Sequence, residues 1–223
     1  MIALAWSGGK DSALALAALR AAGTPPSALM TTVDEASGRA TMHWVGRELI
    51  RAQADAVGLP LVEVPLPRPC PNAVYEERMR AAFARPELRG VRAVAFGDLF
   101  LADIRAYREA RCAEAGLEAR FPLWGADTEA LARRFLADGF RATVVCVDPR
   151  ALDPGEAGSA YDEAFLARLP ADVDPCGERG EFHTFVADGP VFARPVGFEL
   201  GPAAERDGFR YREVRPAPPA RPA

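Results

Sequence analysis

The sequence predicts an α/β protein of two lobes: a parallel sheet doubly wound by helices, followed by a smaller α+β lobe. Three observations carry this. Short apolar runs alternate with amphipathic stretches through the first half of the chain, an order that gives parallel strand pairs joined by right-handed crossovers. A glycine turn, Ser7-Gly8-Gly9-Lys10-Asp11-Ser12, stands between the first apolar run and the first helix. The alternation then gives way after Asp148-Pro149 to short pieces punctuated by Pro and Gly, so a second lobe begins somewhere between residues 125 and 150.

Ile2-Ala3-Leu4-Ala5-Trp6 reads as a buried first strand, and Ala13 to Arg20 as the helix that leaves the turn. The glycines allow positive φ and keep side chains out of the path of a polyphosphate. Amides at the helix N-terminus add donors and a positive dipole end. Ser7 contributes a hydroxyl and Lys10 a charge for phosphates, while Asp11 suits a helix cap or the outer shell of a magnesium ion. The turn is therefore a phosphate site. It is not a Walker loop, because Gly-x4-Gly-Lys-Ser/Thr occurs nowhere in the chain.

Gly23-Thr24-Pro25-Pro26 stops the first helix, and Ala28 to Val33 forms the second strand. Ligands of such sheets sit at the carboxyl ends of the strands, which puts Thr31 to Asp34 beside the phosphate turn. Met42-His43-Trp44 leads into a helix with Val45, Leu49, Ala52 and Ala56 on one face, and Leu61 to Val64 forms the next strand. His43, one of only two histidines, is a site candidate. Tyr75 to Phe83 reads as helix and Val91 to Phe96 as a further central strand, ending at Gly97-Asp98 so that the Asp98 carboxylate faces the same crevice. Asp103 and Arg105 open the helix that runs to Ala115; taken alone, Asp103 complements a helix dipole and nothing more. Ala119 to Gly125 is a strand and turn, Thr128 to Ala137 a helix, and Ala142 to Val147 a β-branched strand. The expected division is 1–125 for the phosphate-binding lobe, 126–212 for a substrate lobe and 213–223 for a disordered tail rich in Pro.

Composition excludes several classes. With 49% hydrophobic and 26% charged residues the proportions are those of a globular protein, and a net charge of −4 gives no general reason to bind nucleic acid. The four cysteines form no Cys-x-x-Cys pair, which argues against a zinc site or a disulfide framework and for reduced thiols. No apolar run approaches the ~18 residues of a membrane span, so no membrane partner is expected and the cytoplasm is the expected compartment.

A second chemical constellation, Asp174-Pro175-Cys176-Gly177-Glu178-Arg179-Gly180-Glu181-Phe182-His183-Thr184-Phe185-Val186, reads as a polar loop entering a strand. Period two puts Glu181 and His183 on one face, where they form a natural acid-base pair with a histidine titrating near neutrality. Metal ligation by Glu178, Glu181 and His183 stays open, although this spacing makes no recognised zinc motif. The plain alternative is a Gly-rich surface turn with solvated charges.

Ser-Gly-Gly-x-Asp-Ser after an N-terminal strand resembles the PP-loop of the N-type ATP pyrophosphatases. Gly97 to Glu109, Phe121-Pro122-Leu123-Trp124, and Gly-Glu-x-Gly-Glu-Phe-x-Thr-Phe-Val at 177–186 with Asp188-Gly189-Pro190-Val191-Phe192 are similar to the diphthine-ammonia ligase-like family. The matches run from Leu4 to Phe192. The resemblance implies the adenine nucleotide α-hydrolase fold and ATP-dependent amide formation: a carboxylate of the acceptor attacks the α-phosphate, pyrophosphate leaves with Mg²⁺, and ammonia takes the acyl group from AMP. It implies that Ser7, Gly8, Gly9, Lys10 and Ser12 hold phosphates and that Asp11 and Asp98 hold Mg²⁺. Backbone at Thr31 and Thr32 would hold adenine, with His43 and Gly97 beside the nucleotide. Asp103 becomes a metal or substrate contact, Arg105 a phosphate or carboxylate contact, and Glu178, Glu181 and His183 act on the acceptor or ammonia. The acceptor would be a small molecule or a modified protein side chain, nucleic acid is not an expected partner, and a homodimer is compatible with the resemblance.

Two departures matter. Family members tied to diphthamide synthesis carry a second acidic residue where this chain has His183, and the histidine form is associated with bacterial relatives, which are not expected to make diphthamide. Gly158-Ser159 stands where a Gly-Arg pair is expected, leaving Arg150 or Arg179 to compensate. Three rivals stand beside the ligase reading. A tRNA-modifying PP-loop enzyme should show paired cysteines and a basic face; a nucleotide-binding module has no need of the 178–184 cluster; an amide-forming enzyme of another pathway, such as cofactor salvage, keeps every motif.

Overall fold

The computed structural model describes residues 1–41 and 43–218. Five strands, β1 (Ile2–Ala5), β2 (Ala28–Asp34), β3 (Leu61–Leu66), β4 (Ala93–Ala95) and β5 (Glu118–Arg120), form one sheet in the order β3-β2-β1-β4-β5. Every pairing in it is parallel. The crossovers are α1 (Lys10–Ala21), α2 (Arg47–Val57), α3 (Asn72–Phe83) and α4 (Ala102–Glu114), so each strand is followed by a helix as the sequence predicts. The order reverses at β1, with β2 on one side and β4 on the other, and a crevice opens there beyond the strand ends.

The second lobe begins with α5 (Thr128–Ala137) and is built on β6 (Arg141–Val147). β6 pairs antiparallel with β8 (Phe182–Asp188), β7 (Ala160–Tyr161) and β10 (Phe209–Pro216), and β10 pairs with β9 (Phe198–Arg206). Local chemistry sets its helix starts. Asp127 caps α5 by accepting from the Ala130 amide at 2.7 Å, and Asp162 caps α6 (Glu163–Arg168) by accepting from Phe165 at 2.8 Å.

α1 is buried almost all round, from Ala13, Leu14, Ala15 and Leu16 to Leu19, because it lies between the first sheet and β8. One continuous core therefore runs from Leu4, Leu16 and Ile50 into Phe135, Phe165, Phe182 and Phe185 of the second lobe. The lobes share this core, which fixes the floor of the crevice. The other face of the sheet is covered more thinly: α3 buries only Ala82 and α4 only Cys112 over Met30, Val62 and Val94.

Some expectations need correction. Val45 is buried but lies in the turn before α2, which starts at Arg47. Glu213 to Pro216 belong to β10 rather than to a tail, since Val214 is buried and Glu213 is ion-paired with Arg39. The Pro-rich composition after Val214 hides a strand that is held by the second lobe. The rest of the expected tail beyond Ala217-Pro218, and Met42 in the segment before α2, lie outside the described residues. Among the described residues no helix is long and apolar enough to cross a membrane.

Candidate active site

A cavity of about 940 Å³ lies at the carboxyl ends of β1, β2 and β4. It brings together ten of the sequence-predicted residues: Ser7, Asp11, Ser12, Thr31, Thr32, His43, Gly97, Asp98, Glu178 and His183. Lys10, Asp103, Arg105 and Glu181 are not on its wall, nor are Gly8 and Gly9, which form the loop behind it. The cavity continues between α3 and α4, past Tyr75, Met79 and Tyr107.

The loop between β1 and α1 is closed by its own hydroxyls. The Gly9 amide donates to Ser7 Oγ at 3.2 Å, and Ser12 Oγ donates to the Gly9 carbonyl at 2.8 Å. Gly9 cannot be replaced without displacing His43, because a Cβ there would stand 2.3 Å from His43 Cε1. From the second lobe, Thr184 Oγ1 accepts from the Lys10 amide at 3.0 Å, and the Val186 amide donates to the Gly8 carbonyl at 2.9 Å.

Lys10 is the first correction in the site. Its ammonium is buried, donates to the Cys176 carbonyl and to Asp11 Oδ2 at 2.9 Å, and lies 5.4 Å above the Phe182 ring. It faces the second lobe rather than the crevice. Burial works against its charge, but Asp11, Cys176 and Glu178 outweigh that and hold its pKa above the ordinary lysine value. Burial pushes the Asp11 carboxyl up despite Lys10, since its Oδ1 is buried with no hydrogen-bond partner among the described residues. That bare oxygen suits a cation. Asp98 borders the same crevice with its Oδ2 2.8 Å from Arg108 Nε, at an angle that makes an ion pair without a formed hydrogen bond. Among the described residues no three His, Cys, Asp or Glu side chains converge on one point.

The end of β4 is set against the loop. A Cβ at Gly97 would lie 2.9 Å from the Asp11 backbone, and the next turn is held by Glu178, whose Oε1 accepts from the Leu99 amide at 2.7 Å. Burial raises the Glu178 carboxyl even so. Asp103 and Arg105 are not brought to the crevice. Asp103 is exposed in the first turn of α4, and Arg105 pairs with Glu109 at 2.8 Å while its guanidinium stacks 4.7 Å from the Trp124 ring. One helical turn further on, Arg108 reaches the wall instead.

The expected acid-base pair is also corrected. Both oxygens of Glu181 accept from backbone amides of its own loop, Oε1 from Asp174 at 3.1 Å and Oε2 from Arg179 at 2.9 Å, so it braces the turn that enters β8. His183 lines the cavity, and its neighbour there is His43, with ring centroids 4.8 Å apart and planes at 35°. His43 Nδ1 donates to the Thr184 carbonyl at 2.8 Å. Burial lowers the pKa of His43 to about 4, and burial with the nearby His43 and Lys10 holds His183 well below the ordinary value. Both rings are neutral near pH 7. A base titrating through 6 to 7, the expectation for an unperturbed imidazole, does not fit these surroundings.

The arginines expected to compensate at Ser159 do not reach the cavity: Arg150 pairs with Asp148 at 2.7 Å and Arg179 stacks over Phe100. Sequence reasoning missed Arg108 and the Cys176 carbonyl, and it missed Gln53, a wholly buried amide on α2 that touches the loop. Period 3.6 placed Gln53 beside Leu49 and Ala56, so its place on the buried face was readable although its partners were not.

The N-terminal domain model of diphthamide synthase matches residues 1–119, and the C-terminal domain model matches 127–205. The chain is 27% identical over 213 residues to a diphthine-ammonia ligase of Bos taurus, covering 85% of this chain and 79% of the relative. It is also similar to the crystal structure of a predicted tRNA methyltransferase subunit from Methanocaldococcus jannaschii. That match has 18% identity and a TM-score of 0.40, covering 65% of this chain and 79% of the other.

Proposed function

The chain belongs to the diphthamide synthase family, and from that premise we propose that it is an ATP-dependent amide ligase that forms AMP and pyrophosphate. The observation that carries the reading is convergence: Ser7, Asp11 and Ser12 of the PP-loop and Glu178 and His183 of the second lobe line one crevice. A nucleotide-binding module would not need the second set.

In this reading Ser7, Ser12 and the loop backbone receive the pyrophosphate part of ATP, and Thr31 and Thr32 border the nucleoside. A magnesium ion bound by Asp11 and Asp98 would neutralise the charge that gathers on the leaving phosphates. The acceptor carboxylate attacks the α-phosphorus and the bond to the β-phosphate oxygen breaks; ammonia then attacks the acyl carbon and AMP departs. The protein's own task is electrostatic: fixed dipoles and a walled crevice meet charge where it develops. His43 and His183, neutral and side by side with tilted planes, suit hydrogen bonding to ammonia or acceptor without adding a positive charge. Lys10 holds the two lobes in register behind the site.

A second reading keeps this chemistry and changes the acceptor. His183 beside His43 is the observation that favours it, since a paired imidazole wall offers a different surface from a carboxylate. Pyrophosphate release measured with a panel of carboxylates, with and without ammonium, tests both readings. Release that requires one carboxylate and ammonium supports a ligase and names its acceptor, whereas release indifferent to both contradicts it.

A further inference from the structure

Gln53 touches Trp6, the Gly8 carbonyl of the PP-loop and Val186 of the second lobe at once. It is fully buried on α2. Its Nε2 donates to the Gly8 carbonyl at 2.9 Å and to the Val186 carbonyl at 2.6 Å, and its Oε1 accepts from Trp6 Nε1 at 3.0 Å. Both donors and the acceptor are thus used, on Trp6 just after β1, on Gly8 in the loop and on Val186 of β8.

The Gly8 carbonyl decides what the loop can bind. It accepts twice, from Gln53 and from the Val186 amide, so both lone pairs are spent inside the interlobe core. A trans peptide is planar, with its C=O and N–H on opposite sides. Turning the Gly8 carbonyl inward therefore turns the Gly9 amide outward, to Ser7 Oγ on the cavity wall. Were the plane to rotate, a carbonyl oxygen would face the phosphates and repel them. Gly8 reaches this setting at φ +79°, where a Cβ would stand 2.6 Å from Gln53 Oε1.

We propose that Gln53 is a positioning residue for phosphate: it locks the Gly8–Gly9 peptide with its carbonyl away from the crevice and couples that setting to Val186 of the second lobe. The proposal deepens the ATP-site reading and rests on it.

The test is calorimetric binding of inorganic pyrophosphate with Mg²⁺ to the full chain, comparing wild type, Gln53→Met, Gln53→Glu and Leu131→Ala. Leu131 is buried on α5 of the second lobe, so Leu131→Ala supplies a destabilised control away from the loop. The expected result is that Gln53→Met and Gln53→Glu weaken binding about tenfold or more, the effect of losing one or two hydrogen bonds, while Leu131→Ala lowers Tm and leaves binding unchanged. Gln53→Glu at pH 8 lacks both donors; protonation returns one, so its deficit relative to wild type should shrink as pH falls to 6. Binding by both Gln53 variants within twofold of wild type, or equal weakening by Leu131→Ala, overturns the proposal. Should the Gln53 variants not fold, exchange of the Gln53 side-chain amide in the wild type decides it: pyrophosphate should slow that exchange, and an unchanged rate overturns the role. If wild type binds no pyrophosphate, it is the PP-loop reading that fails instead.

Discussion

The backbone amide of Lys10 donates to the hydroxyl of Thr184 at 3.0 Å, fastening the first residue of α1 to a strand 174 residues further along the chain. The phosphate-side loop is thus not a self-contained motif: one of its amides, the Gly8 carbonyl and the Lys10 ammonium all end on the second lobe. A change in either lobe is felt in the other.

Thr184→Val keeps the shape and removes the acceptor, leaving the Lys10 amide buried without a partner. Stability should fall by about 1–3 kcal/mol, measured by urea denaturation. A loss indistinguishable from zero would mean that the amide finds water, and that the loop is open on that side.

Lys10→Met removes the buried cation of a pair whose other partner, Asp11, is half-buried on the cavity wall, and should cost about 1–3 kcal/mol, because Asp11 loses its cation while its Oδ1 stays unpartnered. Adding Asp11→Asn should cost much less than it does alone, a coupling that a double-mutant cycle reads directly. Strictly additive losses would contradict the pairing.

The paired imidazoles give stability a pH signature. His43 is held at about 4 when folded against an ordinary 6.5, so below 6.5 the unfolded chain takes a proton that the native state refuses. Stability contributed by this group is full above about 6.5 and lost as pH falls toward 4, a displacement worth about 3 kcal/mol at the acid limit. His43→Gln should flatten the dependence of Tm on pH between 4.5 and 6.5 relative to wild type. An unchanged slope would show that the ring is solvated.

Much of this was legible in the sequence because it is local. The turn at 7–12, the strand ends at Thr31 and Asp98, and the helix through Thr128 to Ala137 follow from periodicity and turn chemistry within a few residues. What failed to read was long-range. Lys10 looks like a phosphate ligand until the Cys176 carbonyl is placed beside it, and Glu181 looks like a base until the Asp174 and Arg179 amides consume its oxygens. Arg105 and Arg108 are both plausible on a helix wheel, and only the position of Asp98 and the Phe121–Trp124 pair separates them. The end of the chain misled for a compositional reason, since prolines beyond Val214 conceal a strand pinned by that buried valine.

This crevice is proposed to direct attack to the α-phosphate of ATP. Phosphorus NMR of ATP consumed with Mg²⁺, ammonium and the carboxylate panel tests it most directly. Equal accumulation of AMP and pyrophosphate is the predicted result, and stoichiometric ADP with free phosphate would contradict it.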